Sequence, residues 1–463
     1  MFIIIDIILW FCLFDYFFGV NIKIKIIMNN DCVYLSQSCI IRGLSKKQFN
    51  VLCDVSLRLN DLRNCAIETT GCVKSSDGKH FRKVNYKSVI SKVKKEFKGK
   101  FSGVQAHIAG ATIKKHVDSF NSYIALRNKK IDQEYDRPVN EPKKHEIDCL
   151  SNIIIPGQSI TCSKKKLSKG YIELPLSREY KKRLESGDYR PKINIPENIR
   201  DKKLIQVEII PICNGKMFKA NFTYQEEKDS WDLDKDNVMG IDLGVNNFAT
   251  LVTTEGTPYI VDGRFLKNQI AFKCKKTAKY QSKLNKQGLK KSKRIDNINN
   301  KFKGIQNNFL NHATRFIIDL CRKQDVGTII LGYNKNFQYK SNIGPIQNQI
   351  FSHYAFKQFK EKLETQCQLH DITLIIQEES YTSKSSFLDN DILPVYEENQ
   401  KKQNKYEFKG KRIKRGLYKT LKGKLINADV NAACNIIRKS KQKFNNERLC
   451  KWVQSAPAKI KLI

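Results

Sequence analysis

The stretch NVMGIDLGVNNFATLVT, residues 237–253, decides the fold that we expect for this chain. Its apolar runs, broken at Gly244, predict two short strands joined by a tight turn, and TPYIVDGRFL at 257–266 predicts a third strand. Because the connections are short, the three strands should form an antiparallel meander. Asp242 lies inside the first apolar run, where an unsatisfied carboxylate costs several kcal/mol. Either a bound cation satisfies it, or Asp242 caps the turn at Gly244 and Asn246.

The residues after the meander alternate between helix and strand patterns. The expected order is a helical hairpin at 266–322, a strand at 326–334 (VGTIILGYN), a helix at 351–370, a strand at 372–380 (ITLIIQEES), a basic loop at 384–425 and a helix at 428–439. Three antiparallel strands followed by this alternation is an RNase H-like order. We therefore expect an α/β nuclease-type domain across residues 231–439.

Two further acidic positions fall at the ends of these elements. Glu378 and Glu379 close the last predicted strand, and only one of them can face a given site because side chains alternate along a strand. Asp429 opens the final helix, where Asn427 or Asp429 itself could instead be the N-terminal cap. Together with Asp242, these acids suit two magnesium ions, which activate water and stabilise a leaving oxygen. Such a cluster should be partly protonated when empty and ionised when metal is bound.

The upstream residues predict α+β structure in two parts. Residues 28–45 and 131–230 show short alternating runs that indicate a β-barrel-like module, and 46–130 indicate a helical lobe with its best helix near 106–126. Residues 440–463 read as a C-terminal tail. Residues 1–27 are apolar but contain Asp6 and Asp15, so we interpret them as an upstream extension from a misplaced start, with a membrane anchor as the alternative.

The charge balance points to a polyanionic partner. The 463 residues include 84 Lys and Arg against 46 Asp and Glu, a formal net charge of +38. Such an excess repels itself unless a polyanion neutralises it, and nucleic acid is the expected one. The 14 cysteines are scattered without zinc-knuckle spacing, which favours free thiols in a reducing compartment. The seven histidines are isolated, and we assign them no role.

Four motifs carry a family resemblance: GIDLGVNNFATLVT at 240–253, EESYTSKSSFLD at 378–389, GKRIKRGLY at 410–418 and NADVNAACNIIRK at 427–439. Together they resemble TnpB proteins, transposon-encoded RNA-guided nucleases. Residues 28–230 are similar in layout to that family's wedge and helical recognition parts.

The resemblance implies a RuvC-like domain in which Asp242, Glu379 and Asp429 are catalytic and bind Mg²⁺ or Mn²⁺. It also implies a guide RNA from the transposon end, a double-stranded DNA target beside a short adjacent motif, and a cytoplasmic, nucleoid-associated protein if the source is prokaryotic.

The chain departs from the common family pattern at two places. The strand at 326–334 ends in Leu331, Gly332 and Tyr333 without the usual Glu, which matches a subgroup whose Glu moves to the next strand. Glu379 matches that position, Gly332 would leave room for it, and Glu378 is the fallback. Ser386 and Asp389 stand where the family has zinc cysteines, so we expect no structural zinc.

The segment at 410–418 is strongly basic. Its charges suit contacts to phosphates, with a solvated charged surface as the alternative; they are Lys411, Arg412, Lys414 and Arg415. The missing strand-end Glu also leaves open a second function: a catalytically silent RNA-guided DNA-binding or accessory transposition protein. A strand-joining transposase ranks last, because no tyrosine nucleophile with a histidine pair is visible.

Overall fold

The computed structural model of the chain describes most residues after the first 31. The described ranges are 32–160, 169–184, 190–213, 215–290, 292–334, 344–395 and 406–462. The expected extension at 1–27 lies outside the described residues. Val33–Ile463 form one compact unit.

Short strands and amphipathic helices follow one another along these residues. The strands are β1 (Cys32–Ile40), β2 (Ile153–Pro156), β3 (Tyr171–Glu173), β4 (Lys192–Asn194), β5 (Lys203–Ile212), β6 (Met217–Glu227), β7 (Val238–Leu243), β8 (Asn247–Thr253), β9 (Tyr259–Asp262), β10 (Thr328–Gly332), β11 (Thr373–Gln377), β12 (Lys411–Lys414), β13 (Leu417–Lys419), β14 (Leu425–Asn427) and β15 (Ala458–Ile460). The helices are α1 (Lys46–Thr69), α2 (Tyr86–Glu96), α3 (Lys98–Ser102), α4 (Ala106–Ile131), α5 (Gly157–Ile160), α6 (Arg178–Arg183), α7 (Arg264–Lys286), α8 (Lys293–Lys323), α9 (Pro345–Ser352), α10 (Phe356–Leu369), α11 (Ala428–Lys439) and α12 (Asn446–Trp452), with a 3₁₀ turn at Glu197–Ile199.

The sheet that carries Asp242 has the strand order β11-β10-β7-β8-β9-β15. β8 is antiparallel to both β7 and β9, which confirms the predicted meander. β10 is parallel to β7 on one side and to β11 on the other. The carboxyl ends of β7, β10 and β11 therefore meet at one edge, as the expected RNase H-like order requires.

Helices cover both faces of this sheet. The predicted hairpin is confirmed as α7 and α8, and α8 packs with α10 around a core that includes Phe248, Phe309 and Phe359. On the opposite face α11 packs through Ile436 against Val238 and Ile330. Since both faces are apolar, the central strands are almost fully buried, and this holds the strand ends in fixed positions.

Two expectations for this region differ from the structure. The helix predicted at 351–370 is confirmed over most of its length as α10, but its start was wrong. A turn separates α9 from α10, and the Tyr354 hydroxyl in that turn donates to the carbonyl oxygens of Val245 (2.8 Å) and Gly263 (3.3 Å). The tail at 440–463 is also more ordered than expected: it contains α12, and β15 pairs in parallel with β9 as the sixth strand. β15 has only three residues, with Lys459 inside it and Lys461 directly after it, so its pattern is too weak to predict a strand.

The upstream region contains a four-stranded sheet in the order β1-β6-β5-β2, a separate pair of β3 and β4, and the helical lobe. The best predicted helix is α4, and it packs on α1 and β2. Among the described strands these two sheets do not share a ladder, so barrel-like closure stays an expectation. No helix within the described ranges is both long and apolar enough to cross a membrane.

Candidate functional site

Asp242 lies near the end of β7, opposite Thr250 of β8, where the strand changes from buried to half-buried. Within the described ranges its carboxylate accepts no hydrogen bond, so it does not cap the following turn. Burial, followed by the nearby charges of Glu379 and Asp429, raises the pKa of Asp242 well above its ordinary value, while Arg412 acts to lower it. The structure thus brings the three predicted acids near enough for their charges to interact.

Asp429 is the second residue of α11, and its carboxylate is not used to cap the helix. The Asn427 side chain fills that role, accepting from the backbone N–H groups of Asp429 (3.0 Å) and Val430 (3.1 Å). Asp429 instead accepts from Asn247 Nδ2 at 2.6 Å and lies 3.4 Å from an Arg412 guanidinium nitrogen.

Glu379 follows β11 by two residues, and its backbone N–H donates to Asn334 Oδ1 at 3.2 Å. Its carboxylate accepts no hydrogen bond within the described part of the chain. Burial, and then the charge of Glu378, raises the pKa of Glu379 to about 7, although Lys439 opposes this. A half-buried acid without a donor is suited to a cation or a proton.

The space for Glu379 comes from Gly332 at the end of β10. A Cβ added there would lie 3.0 Å from Glu379 Oε2 and 2.5 Å from Ile436 Cδ1. Gly240 on β7 has a similar place, because an added Cβ would lie 2.6 Å from the carbonyl oxygen of Ala433 on α11. These two glycines let α11 and the relocated Glu approach the sheet closely.

Glu378 points to a different environment from Glu379. Its carboxylate pairs with Lys439 Nζ, whose side chain is 5% exposed and also donates to the carbonyl oxygens of Ser380 and Pro394. Burial acts to raise the pKa of Glu378, but hydrogen bonds from Lys439 and Ser380 outweigh it, so the pKa lies below its ordinary value. This structural ion pair favours Glu379 over Glu378 as the acid of the site.

Two fully buried asparagines of α11 hold the turn that follows Glu379. Asn435 Nδ2 donates to the carbonyl oxygens of Thr382 (2.9 Å) and Ser385 (2.7 Å), and Asn431 Nδ2 donates to Ser385 at 2.8 Å. The helix that begins at Asp429 is therefore fixed to the segment that carries Glu379. The sequence does not predict these contacts, or the contacts of Asn247, Asn334 and Lys439, because no local pattern indicates their distant partners.

The three acids are not arranged as a complete metal-ligand set in this structure. Within the described ranges, no three His, Cys, Asp or Glu side chains are grouped closely enough to hold a metal ion as they stand. The donor chemistry nevertheless fits a hard divalent cation, since two of the carboxylates lack hydrogen-bond donors and repel one another. Arg412 supplies the cationic charge that the structure places beside Asp429.

The basic segment is a three-stranded sheet of β12, β13 and β14, not an irregular loop. All four predicted basic residues are exposed, but only the guanidinium of Arg412 reaches an acid of the site within the described ranges. The remaining three are Lys411, Lys414 and Arg415.

A hydrogen bond joins Ser386 and Asp389, the two residues that stand where zinc cysteines would be expected. Ser386 Oγ donates to Asp389 Oδ2 at 2.6 Å, and the Leu421 backbone N–H donates to the same oxygen at 2.8 Å. The Asp391 carboxylate accepts from the Ser386 and Lys409 backbone N–H groups. These bonds connect the segment after Glu379 to the β12–β14 sheet; that zinc is absent from the protein stays a prediction.

Several solved structures are similar to this chain. A Cas12f1 complex with single-guide RNA and target DNA is 15% identical, with 87% of this chain and 98% of that chain covered and a TM-score of 0.42. A CRISPR-Cas12f ternary complex is 14% identical (83% and 80% covered, TM-score 0.30), and the mini-RNA-guided endonuclease CRISPR-Cas_phi3 is 10% identical (89% and 93% covered, TM-score 0.34). No curated protein matches the chain significantly.

Two family models match in succession along the region that carries the acids. Residues 221–338 match the OrfB_IS605 family, described as a probable transposase, and residues 356–436 match the Cas12f1-like TNB domain. The first match includes Asp242, and the second includes Glu379, the basic segment and Asp429. This part of the chain is therefore TnpB-like, which confirms the resemblance found in its motifs.

Proposed function

We propose that this chain is an RNA-guided DNA endonuclease encoded by a transposon, and that it cuts DNA beside a short adjacent motif. In this proposal Asp242, Glu379 and Asp429 hold Mg²⁺ or Mn²⁺, which supplies activated water and stabilises the leaving oxygen. The observation that carries the proposal is the pair of carboxylates, Asp242 and Glu379, with raised pKa values and no hydrogen-bond donors in the described structure.

The protein's own residues have separable parts in this proposal. Asn247 orients the Asp429 carboxylate, while Asn431 and Asn435 hold the Glu379 segment against α11. Arg412 balances the negative charge in the absence of metal, and its release would make it available to a phosphate of the substrate. Base pairing with the guide, rather than side chains, would select the target sequence.

The RNA-guided part of the proposal is tested by the RNA that the protein retains. We expect purified protein to carry a defined RNA that can be sequenced, and to cut double-stranded DNA matching that RNA when Mg²⁺ is added. Cutting that continues after the guide is removed, or that ignores a mismatched guide, would contradict the proposal.

A second candidate function is an RNA-guided DNA-binding protein without cleavage. It is favoured by the lack of an acid at the end of β10, where Leu331, Gly332 and Tyr333 stand. Guide-dependent DNA binding by the parent protein without cleavage in Mg²⁺ or Mn²⁺ would support this candidate over the nuclease.

A further inference from the structure

A cleft of about 650 Å³ separates the upstream sheet from the helices of the nuclease region. Strands β1 and β6 line one side, and α8 and α10 line the other. Its lining includes Tyr34, Trp231, Arg315, Lys362 and His370. This volume is in the range that holds a nucleotide-sized ligand.

The cleft lies at the opposite end of the nuclease sheet from the acids. His370 follows α10 and precedes the first residue of β11, whereas Glu379 follows the last residue of that strand. Five residues of extended strand separate the two ends, which is about 17 Å at 3.3 Å per residue. A ligand in the cleft would therefore be held rather than cut.

Two groups in the cleft are not explained by the fold. Tyr34 is 64% exposed, and its ring contacts no other described aromatic ring. Half-buried Lys362 donates to Asn311 Oδ1 at 2.7 Å but has no carboxylate partner among the described residues.

Stacked rings and cations lie beside these groups. Trp231 stacks on His370 with ring centroids 3.8 Å apart, and the Arg322 guanidinium lies 5.0 Å from the Trp231 ring centroid. Arg315 lies on the rim, where it pairs with Asp319 at 3.7 Å. Burial lowers the pKa of Lys362, because the charged ammonium is partly removed from water. A bound anion would stabilise the charged form.

We propose that this cleft binds an unpaired nucleotide of a nucleic-acid strand. The base stacks on Tyr34, and the phosphate contacts Lys362 and Arg315. An exposed aromatic ring beside cations is the combination that single strands use, because every base has a face to stack and every residue has a phosphate. The proposal rests on the nucleic-acid part of the proposed function.

The test measures binding by the full-length protein without divalent metal. Retained RNA is first removed in high salt, and fluorescence anisotropy then follows a labelled oligouridine, the matching oligothymidine and a duplex. Tyr34→Ala should weaken single-strand binding by about 5- to 30-fold, because stacking contributes ~1–3 kcal/mol per base. Tyr34→Phe keeps the ring and should bind like the parent.

A second variant and its control test the contact of Lys362 with the phosphate. Lys362→Gln should reduce the salt slope of single-strand binding by about 0.7, the value for one phosphate contact. Lys357→Gln is its matched control, since Lys357 lies on the same helix outside the cleft and is 80% exposed beside Glu361.

These binding measurements distinguish a failure of the cleft proposal from a failure of the proposed function. Weaker binding of the RNA strand alone, the DNA strand alone or both supports the cleft and identifies which strand supplies the nucleotide. If Tyr34→Ala and Lys362→Gln bind both strands like the parent, or lose duplex and single strands equally, the cleft proposal is wrong while the nuclease proposal stands. If the parent itself binds no nucleic acid, both proposals fail.

Discussion

The Glu379 carboxylate lies against the backbone of Gly332, with Oε2 3.0 Å from the position of an added Cβ. The strand end that lacks an acid thus provides the room for an acid from the next strand. Because β10 and β11 are parallel neighbours with Gly332 opposite Gln377, a side chain two residues beyond Gln377 can reach back over Gly332. The absence of an acid at the end of β10 and the position of Glu379 are therefore structurally linked.

Gly332→Ala should reduce cleavage by at least about tenfold, because a small displacement of a positioned acid is enough to lose that factor. The same Cβ also meets Ile436 Cδ1 at 2.5 Å, so the double variant Gly332→Ala with Ile436→Val removes that methyl group. The double variant should recover thermal stability but not cleavage. Gly304→Ala is the control, since an added Cβ there meets no atom within 4 Å. Recovery of full cleavage in the double variant would argue against a role for the Glu379 position.

Glu379→Gln and Glu378→Gln should have different effects. Glu379→Gln should abolish cleavage while guide-dependent DNA binding is kept and the fold is not destabilised, because its carboxylate makes no protein hydrogen bond within the described ranges. Glu378→Gln should leave cleavage measurable but lower the free energy of unfolding by about 1–2 kcal/mol, since it weakens the pair with buried Lys439. Urea unfolding and target cleavage are measured on both. The reverse pattern would make Glu378 the acid of the site.

The raised pKa of Glu379 predicts a pH dependence of stability. Its pKa rises from an ordinary 4.5 to about 7, so the folded metal-free protein binds the proton more tightly than the unfolded chain does. This contribution is fully present below pH 4.5 and is lost as the pH rises to about 7. The difference in unfolding free energy between parent and Glu379→Gln should change across that window and become constant above it. A difference independent of pH would show that Glu379 is already ionised.

Metal binding should release protons in the same window, because the acids must ionise to bind a cation. Calorimetry with Mn²⁺ in two buffers of different ionisation enthalpy measures this release. We expect proton release near pH 6 that falls above pH 8, and a smaller release in Glu379→Gln, because Asp242 still ionises on binding. Equal heats in both buffers at pH 6 would contradict the link between ionisation and metal.

Arg412 should compete with metal for the acids. Its guanidinium lies 3.4 Å from Asp429 and is 44% exposed, so the pair contributes little, of the order of 0.5 kcal/mol. Arg412→Gln should therefore tighten Mn²⁺ binding by only about two- to threefold while weakening DNA binding. Lys414→Gln is the control, because Lys414 is exposed on the same strand and contacts no acid in the described structure. Weaker Mn²⁺ binding in Arg412→Gln would exclude competition.

The sequence predicted the parts of this molecule that depend on local pattern. The meander of β7, β8 and β9, the α7–α8 hairpin and the final helix follow from apolar spacing and turn residues. The positions of Asp242, Glu379 and Asp429 at strand ends and a helix start follow from the same patterns. Their roles in metal binding and cleavage remain predictions.

The sequence could not predict features that depend on distant partners. At the turn between α9 and α10, Tyr354 bonds to carbonyl oxygens about a hundred residues away, and β15 forms only because β9 has a free edge. Likewise, Asn427 rather than Asp429 caps α11, a choice between two good caps that local preference does not decide. The contact of Arg412 with Asp429 depends on how β12 crosses the site.

The most direct test of the account compares the parent with Asp242→Asn, an isosteric change that removes the carboxylate from β7. Both proteins are loaded with the same guide and assayed for binding and cleavage of matching double-stranded DNA as Mg²⁺ is increased. We expect equal guide-dependent binding, Mg²⁺-dependent cleavage by the parent, and a loss of at least about a thousandfold in Asp242→Asn. Undiminished cleavage by Asp242→Asn would contradict the proposal that these three acids form the site.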